Sequence, residues 1–249
     1  NTFTSVEWGD GMEDPMVFNP TNIDTDQWCE TMQKAGMKTA IITVKHHDGF
    51  VLFQSRYSTH GVMSSPFKEG KGDVLRMLVD SCRAQGLKIG VYASPADLFQ
   101  MESATGLYGN LSKYRERTIP KQDPNRPFAD KRTFTVNVDD YNEYFMSQLF
   151  ELLTEYGPIH EVWFDGAHPK RKGGQKYVRD DWYKLVHTLA PNAVIFGGPD
   201  ARWVGNEHGG TRDSEWSIIP TQAGQINLDR SDNDLGSRER LYDPNYKVY

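Results

Sequence analysis

His160-Glu161-Val162-Trp163-Phe164-Asp165-Gly166-Ala167 is the stretch of this sequence that decides its fold. The apolar centre of the run favours a pleated, packed environment, and Gly157-Pro158 bounds it on the N-terminal side. Such a short apolar run predicts a buried strand covered on both faces. Asp165 falls at the strand's C-terminal end, where parallel α/β barrels carry their chemistry. Asp165 therefore either acts in a site or only caps the turn that follows.

The composition is that of a globular protein. The chain has 249 residues, with 37% hydrophobic, 25% charged and 12% aromatic residues, which suits one full-sized α/β domain or two small ones. The net charge is −6 and no basic tract occurs, so nucleic acid is not an expected partner. No apolar run approaches the length of a membrane-spanning helix. Cys29 and Cys82 show no CxxC spacing, so we expect buried free thiols.

The rest of the chain repeats one unit, which is a strand, a polar cluster, a loop, a helix and a glycine. Asp24 and Gln27 have the spacing of a capping box, and Gly36 is placed to end that helix. The predicted strands cover residues 39–44, 87–93, 160–165 and 193–197, and the predicted helices cover 24–35, 73–85, 139–156 and 175–189. Residues 95–138 are predicted to form a long loop, which is an uncommon feature and usually a functional or disordered one.

This repeat admits a doubly wound sheet or a (β/α)8 barrel. A doubly wound nucleotide-binding protein should have a glycine-rich turn after a strand, and neither GxGxxG nor GxxxxGK[ST] occurs. Polar clusters after every strand favour the barrel. Four to six strands can be counted where a full barrel needs eight.

Two kinds of site are disfavoured. Adjacent residues of a strand point to opposite faces, so His46 and His47 are not expected to face one metal ion together with Asp48. No HxH or HExxH spacing accompanies them. A serine or cysteine nucleophile would need a GxSxG elbow or a cysteine beside a glycine turn, and neither occurs. We therefore expect no metal and no cofactor.

A pair of carboxylates is the third kind of site. Retaining glycosidases place two carboxyl groups about 5–5.5 Å apart. Asp165 ends one strand, and Glu207 follows the next strand on a loop beside Trp203, where partial burial would raise the pKa of an acid. His46 or His47 could donate hydrogen bonds that keep Asp165 ionised. The alternative is that Glu207 is an ordinary solvated loop carboxylate.

Three segments resemble the α-L-fucosidases of glycoside hydrolase family 29: Lys45-His46-His47-Asp48-Gly49-Phe50, Gly90-Val91-Tyr92 and Val162-Trp163-Phe164-Asp165-Gly166-Ala167. Their order and spacing match along roughly residues 3–217. Two further segments are similar to the branch that prefers α-1,3/1,4-linked fucose, and these are Glu7-Trp8-Gly9-Asp10-Gly11 and Arg202-Trp203-Val204-Gly205-Asn206-Glu207.

The resemblance implies a (β/α)8-type barrel and a retaining exo-α-L-fucosidase. Asp165 would be the nucleophile and Glu207 the general acid/base, with Glu215 as the rival acid/base because that position varies in the family. Six residues would hold the fucose hydroxyls and its apolar face, and these are Glu7, Trp8, His46, His47, Tyr92 and Trp163.

The resemblance also bounds the domain. Family members usually carry a first strand ending in a histidine that contacts fucose, and a β-sandwich domain commonly follows the barrel. We therefore expect residues 1–249 to form a partial (β/α)8-like catalytic domain without its first strand and C-terminal end.

Two other functions stay open. One is a non-catalytic fucose-binding barrel, which would keep the histidines and lose the carboxylates. The other is a retaining glycosidase for a sugar with fucose-like stereochemistry, such as α-L-galactose. We expect a fucosylated oligosaccharide as the binding partner and neither nucleic acid nor a membrane. A periplasmic or extracellular location is expected rather than a cytoplasmic one, and the oligomeric state is left open.

Overall fold

The computed structural model describes residues 9–107, 112–168 and 174–201. Its strands are β1 (Thr39–Lys45), β2 (Lys88–Ala93), β3 (Arg115–Ile119), β4 (Phe134–Val138), β5 (Glu161–Phe164) and β6 (Val194–Phe196). Its helices are α1 (Thr25–Lys34), α2 (Val74–Ala84), α3 (Leu98–Glu102), α4 (Asp140–Glu155) and α5 (Arg179–Leu189). Short 3-10 helices cover Pro15–Val17, Val62–Ser64 and Phe67–Gly70.

Four parallel strands form the central sheet, in the order β1-β2-β5-β6. The prediction that these four strands are parallel neighbours is confirmed. Each strand pairs with the next strand of this sheet in chain order, and α2, α4 and α5 lie in the three connections. A doubly wound sheet reverses its strand order at a switch point, and this order does not reverse within the described sheet. The strand order is that of an arc of a barrel.

Side-chain caps start the helices as the sequence predicts. The Asp24 carboxylate accepts a hydrogen bond from the Gln27 amide at 2.9 Å, and Asp73 and Asp139 cap α2 and α4 in the same way. Gly36 follows α1 with a φ of +80°, which an L side chain rarely adopts. The helix predicted from about residue 175 begins at Arg179 instead.

The long loop predicted for residues 95–138 is wrong in part. This segment contains α3 and an antiparallel hairpin in which β3 pairs with β4 from Arg115↔Val138 to Ile119↔Phe134. The hairpin packs on α4, where the buried Arg117 guanidinium forms ion pairs with Asp140 at 2.5 Å and Glu143 at 2.7 Å. The hairpin is therefore part of the packed fold.

The core lies between the sheet and its helices. Trp182 of α5 is fully buried, and its ring centroid lies 4.5 Å from that of Phe145 on α4. Both rings also pack near Phe164 at the end of β5. This packing against α4 and α5 supports the C-terminal end of β5. Within the described ranges, no helix is both long and apolar enough to span a bilayer.

Cys29 and Cys82 are buried free thiols, as predicted. Their sulfur atoms lie 3.1 Å apart where α1 packs on α2, an approach that the sequence spacing did not predict. Burial raises the pKa of the Cys82 thiol to about 12, so this sulfur stays protonated at neutral pH.

Candidate active site

One row of the sheet places three aromatic residues side by side. Tyr92 of β2 is opposite Trp163 of β5 in the register, and Trp163 is opposite Phe196 of β6. The Trp163 ring makes edge-on contacts with both neighbours, with centroids 5.0 Å apart in each case. Residues in register share a face of the sheet, so these rings form a continuous aromatic surface at the C-terminal end of the strands.

Asp165 lies one residue beyond β5, next to this surface. The Tyr92 hydroxyl donates a hydrogen bond to Asp165 Oδ2 at 2.8 Å. The sequence suggested His46 or His47 as the donor, whereas the described hydrogen bond comes from the phenol. A phenol donor stabilises the ionised carboxylate that a nucleophile requires.

His46 and His47 follow directly after β1. Their ring centroids lie 4.1 Å apart, and the His46 ring stacks parallel to Tyr92 at 5.7 Å. Strand alternation does not govern these two rings, because β1 ends at Lys45 and its register shifts after Thr43. Both histidines therefore lie at the same end of the sheet as Asp165.

His47 is fixed between two loops. Its Nδ1 lies 2.6 Å from the Ser94 hydroxyl, which follows β2. On its other side the ring lies against Gly166, where an added Cβ would overlap with the imidazole. Gly166 also has a φ of +83°, so a larger residue is disfavoured twice over. This glycine lets His47 approach the loop that carries Asp165.

The electrostatics of His46 favour the neutral ring. Burial lowers its pKa to about 4, although the charge of Asp165 acts in the opposite direction. Its Nδ1 is buried and has no hydrogen-bond partner among the described residues. With Nδ1 buried, a contact between His46 and a sugar hydroxyl would be made through Nε2.

Lys45, the residue just before the two histidines, forms a buried ion pair with Asp97. Lys45 Nζ is 2.8 Å from Asp97 Oδ2 and 2.9 Å from Gln148 Oε1, and the lysine and aspartate side chains are 1% and 0% exposed. Tyr144 also donates to Asp97, at 2.6 Å. Asp97 has a φ of +22°, an unusual value for a residue with a side chain. The pair ties the end of β1 to the loop that follows β2.

Asp48 is the third polar residue after β1. It is 2% exposed, and its carboxylate accepts a hydrogen bond from the Phe50 amide at 3.1 Å. Burial raises its pKa to about 6, although the hydrogen bond from the Phe50 amide acts to lower it. Asp48 thus faces the protein interior and braces the loop that carries the histidines.

The structure brings together Asp165, Tyr92, Trp163, His46 and His47 at one end of the sheet. The prediction that His47 and Asp165 lie at the same end is confirmed. The other predicted site residues lie outside the described residues, and these are Glu7, Trp8, Glu207 and the rival Glu215. No group of three or more histidine, cysteine or acidic residues able to hold a metal ion occurs in the described part of the chain.

Three residues that matter to this geometry were not singled out from the sequence as site residues. Ser94, Lys45 and Asp97 all lie within four residues of a strand's C-terminal end. A stricter application of the rule that such positions carry the chemistry would have marked them. Their pairing could not be foreseen, because Lys45 and Asp97 are 52 residues apart in the chain.

Comparisons with known proteins identify similar sequences and structures. Residues 5–211 match the family model described as alpha-L-fucosidase. The chain is 38% identical to Alpha-L-fucosidase 1 from Arabidopsis thaliana over 221 residues, covering 88% of this chain and 37% of the relative. A crystal structure from Bacteroides ovatus, described as a candidate α-L-fucosidase, superposes with a TM-score of 0.72 at 38% identity, covering 97% of this chain and 38% of that chain.

A third similar protein was captured during turnover. It is a family 29 α-L-fucosidase from Bacteroides thetaiotaomicron, trapped as a covalent intermediate with 2-fluoro-fucosyl fluoride. It is 26% identical, with a TM-score of 0.51, covering 73% of this chain and 36% of that chain.

These relatives have a (β/α)8 catalytic domain, and the four neighbouring parallel strands follow that architecture, which confirms the predicted fold class. The chain spans less than two fifths of the length of the first relatives it matches. The match nevertheless extends over most of this chain and over the candidate site. The chain therefore belongs to the α-L-fucosidase family.

Proposed function

We propose that the protein containing this chain is a retaining exo-α-L-fucosidase that hydrolyses terminal α-1,3/1,4-linked L-fucose from oligosaccharides or glycoconjugates. The observation that carries the proposal is the placement of Asp165. Its carboxylate lies at a strand's C-terminal end, hydrogen-bonded to Tyr92 and beside two histidines and Trp163. This set combines a nucleophile, polar donors and an aromatic surface.

The proposed chemistry is a double displacement. Asp165 attacks the anomeric carbon of an α-fucoside while Glu207 protonates the departing glycosidic oxygen. A covalent β-fucosyl ester of Asp165 results. Glu207 then takes a proton from water, whose oxygen attacks the anomeric carbon, breaks its bond to the Asp165 carboxylate and releases L-fucose with its original α configuration. The covalent intermediate trapped in the related Bacteroides thetaiotaomicron enzyme supports this two-step path.

Sugar recognition is assigned to two kinds of side chain. Fucose has three hydroxyls on its ring besides the anomeric one, and an apolar C6 methyl. His46, His47 and Tyr92 supply hydrogen-bonding groups, and Trp163 supplies an aromatic face. Glu7 and Trp8 complete the set by the family resemblance. His46 stays neutral well below pH 7, so it meets the sugar as a neutral imidazole.

The linkage preference is proposed from sequence alone. The segments around Trp8 and Glu207 are similar to the branch that acts on branched oligosaccharides carrying α-1,3/1,4-linked fucose. We place the enzyme in the periplasm or outside the cell, where such glycoconjugates are found.

The test uses the full-length enzyme and a panel of substrates. Sugar release is measured from an aryl α-L-fucoside, from an aryl α-L-galactoside, from α-1,2-linked fucosides and from branched α-1,3/1,4-linked trisaccharides. We expect the branched trisaccharides to have the highest kcat/KM, and Asp165→Asn to abolish release from all of them. Release of L-galactose in preference to L-fucose would replace the proposed substrate, and fucose binding without any release would support a binding module instead.

A further inference from the structure

The buried hydroxyl of Ser94 contacts the imidazole of His47. Ser94 is 0% exposed, and its Oγ lies 2.6 Å from His47 Nδ1 and 3.0 Å from the Ala96 amide nitrogen. The Ser94 backbone is fixed as well, because its amide donates to the Lys45 carbonyl at 2.9 Å. The hydroxyl therefore has a set position relative to the imidazole.

The direction of the hydrogen bond between Ser94 and His47 follows from counting hydrogens. The Ala96 amide can only donate, so it occupies an acceptor site of Oγ and leaves the hydroxyl hydrogen to be placed. Within residues 9–107, 112–168 and 174–201, His47 Nδ1 is the only hydrogen-bond acceptor that this hydroxyl contacts. Ser94 therefore donates to Nδ1.

The reverse arrangement is disfavoured by burial. If Nδ1 carried the hydrogen and donated to Ser94, the serine hydrogen would have no acceptor in a fully buried position. An unsatisfied buried donor costs its whole desolvation penalty. A neutral imidazole that accepts at Nδ1 carries its own hydrogen on Nε2.

We propose that Ser94 is a positioning residue that holds His47 as its Nε2–H tautomer, so that this histidine donates a hydrogen bond to a hydroxyl oxygen of the sugar beside Asp165. The inference rests on the proposed function. The Nδ1–Cε1 edge of the ring packs against Gly166, which keeps the imidazole beside the loop that carries Asp165. With Nδ1 occupied by Ser94, the hydrogen on Nε2 is the one that the ring can offer to the sugar.

The other histidine lacks a partner of this kind. His46 Nδ1 is buried and has no hydrogen-bond partner among the described residues, so a contact of that ring with the sugar would be made through Nε2. The hydrogen bond from Ser94 therefore sets His47 apart from His46.

The experiment begins with Ser94→Ala in the full-length enzyme. We expect kcat/KM for an aryl α-L-fucoside to fall about tenfold, the loss that accompanies removal of a typical hydrogen bond. The fall should appear mainly in KM, because the sugar contact is made in the ground state as well as in the transition state. Ser147→Ala is the matched control, since Ser147 is also 0% exposed and accepts from a backbone amide, that of Lys121 at 3.0 Å.

A double-mutant cycle with His47→Gln separates positioning from general stability. Glutamine keeps an N–H donor near the Nε2 position but has no nitrogen for Ser94 to contact. If Ser94 acts through His47, then Ser94→Ala should change kcat/KM less than twofold in the His47→Gln background. Ser147→Ala should match Ser94→Ala in its loss of Tm while leaving kcat/KM within about twofold of wild type.

Three outcomes are informative. Non-additive variants with an unaffected control support the inference. An equal loss from Ser94→Ala in both backgrounds, with an active wild type, would overturn the inference and leave the proposed function standing. A wild-type enzyme that releases no sugar from any fucoside would overturn the proposed function and the inference with it.

Discussion

The Tyr92 hydroxyl donates a hydrogen bond to Asp165 Oδ2 at 2.8 Å, across neighbouring strands whose register aligns Tyr92 with Trp163. The sequence resemblance makes Tyr92 a sugar contact, and the geometry also makes it a partner of the carboxylate. Tyr92→Phe should remove this donor and keep the ring. A hydrogen bond to a charged group is worth about 1.5–3 kcal/mol, so we expect kcat/KM on an aryl α-L-fucoside to fall about 10- to 150-fold.

Tyr156→Phe is the control for that variant. Tyr156 is also buried and donates to a carboxylate, Asp73 Oδ2, at 2.6 Å, but it lies at the end of α4. The Tyr156→Phe enzyme should lose a similar amount of stability as Tyr92→Phe and keep its kcat/KM within about twofold of wild type. Equal activity of Tyr92→Phe and wild type would contradict the role assigned to the phenol.

Asp48 provides a prediction about stability and pH. Burial raises its pKa from 3.8 to about 6, so between these pH values the folded state binds more protons than the unfolded state. Its contribution to stability is therefore fully present below about pH 4 and is lost as the pH rises through 6. Asp48→Asn keeps the acceptor for the Phe50 amide and never ionises.

We therefore expect the Tm of Asp48→Asn to equal that of wild type near pH 4 and to exceed it by roughly 5 °C above pH 6.5. Differential scanning calorimetry across this range measures the difference. A Tm difference that stays constant with pH would show that the Asp48 carboxyl titrates at the same pH in both states.

Single and double substitutions of the Lys45–Asp97 pair should change the free energy of unfolding by different amounts. Burial lowers the pKa of Lys45, and the 2.8 Å contact with Asp97 opposes that shift. Lys45→Met leaves the Asp97 carboxylate buried without its cation, which should cost about 3–5 kcal/mol of unfolding free energy. Adding Asp97→Asn removes the stranded charge, so the double variant should recover most of that loss.

Activity should not recover with stability in this double variant. The ion pair ties the end of β1 to the β2 loop and so helps to fix the histidines. Arg56→Met with Glu151→Gln is the matched control, because that pair is also buried, at 2.6 Å, and lies away from the site. Full recovery of kcat/KM in the Lys45→Met/Asp97→Asn enzyme would limit the pair to a structural role.

Local sequence signals predicted the parts of the fold that depend on neighbouring residues. The carboxylates of Asp24 and Asp73 accept hydrogen bonds from amides three residues later, so a capping pattern is enough to place α1 and α2. The apolar run before Asp165 was also sufficient to place β5. The sequence does not predict the hairpin, because its segment is rich in glycine, proline and charge, although β4 alternates exposed residues with buried or partly buried ones.

From the sequence, the site residues that could be predicted are those that lie at the C-terminal end of a single strand. Asp165, His46 and Tyr92 each lie at or just after such an end, and the family motifs mark them. The contact of His47 with Ser94 joins residues 47 apart, and its closeness to Gly166 depends on how two loops meet. Sequence spacing carries no information on such contacts, so the pairs emerge only from the packed structure.

Glu207 and Asp165 can be distinguished by the leaving group. A positioned general acid contributes about 10²–10⁴-fold, mostly by protonating a poor leaving group. Glu207→Ala in the full-length enzyme should therefore impair natural trisaccharides far more than aryl fucosides with good leaving groups. Asp165→Gly should impair both kinds of substrate heavily. Initial rates on the two substrate classes give the comparison, with Glu215→Ala as the rival acid/base variant.

Azide also distinguishes these two residues, because the Glu207→Ala and Asp165→Gly enzymes should form fucosyl azides of opposite anomeric configuration. In Glu207→Ala, azide attacks the β-fucosyl ester of Asp165 from the opposite face, so it should restore turnover and yield α-fucosyl azide. In Asp165→Gly, azide takes the place of the missing carboxylate and attacks the substrate itself, so the product should be the β-azide. NMR of the isolated azides assigns the anomeric configuration. If Glu215→Ala yields the α-azide and Glu207→Ala does not, the acid/base is Glu215 and the nucleophile stands. If Asp165→Gly keeps wild-type activity without azide, the covalent step through this carboxylate is wrong.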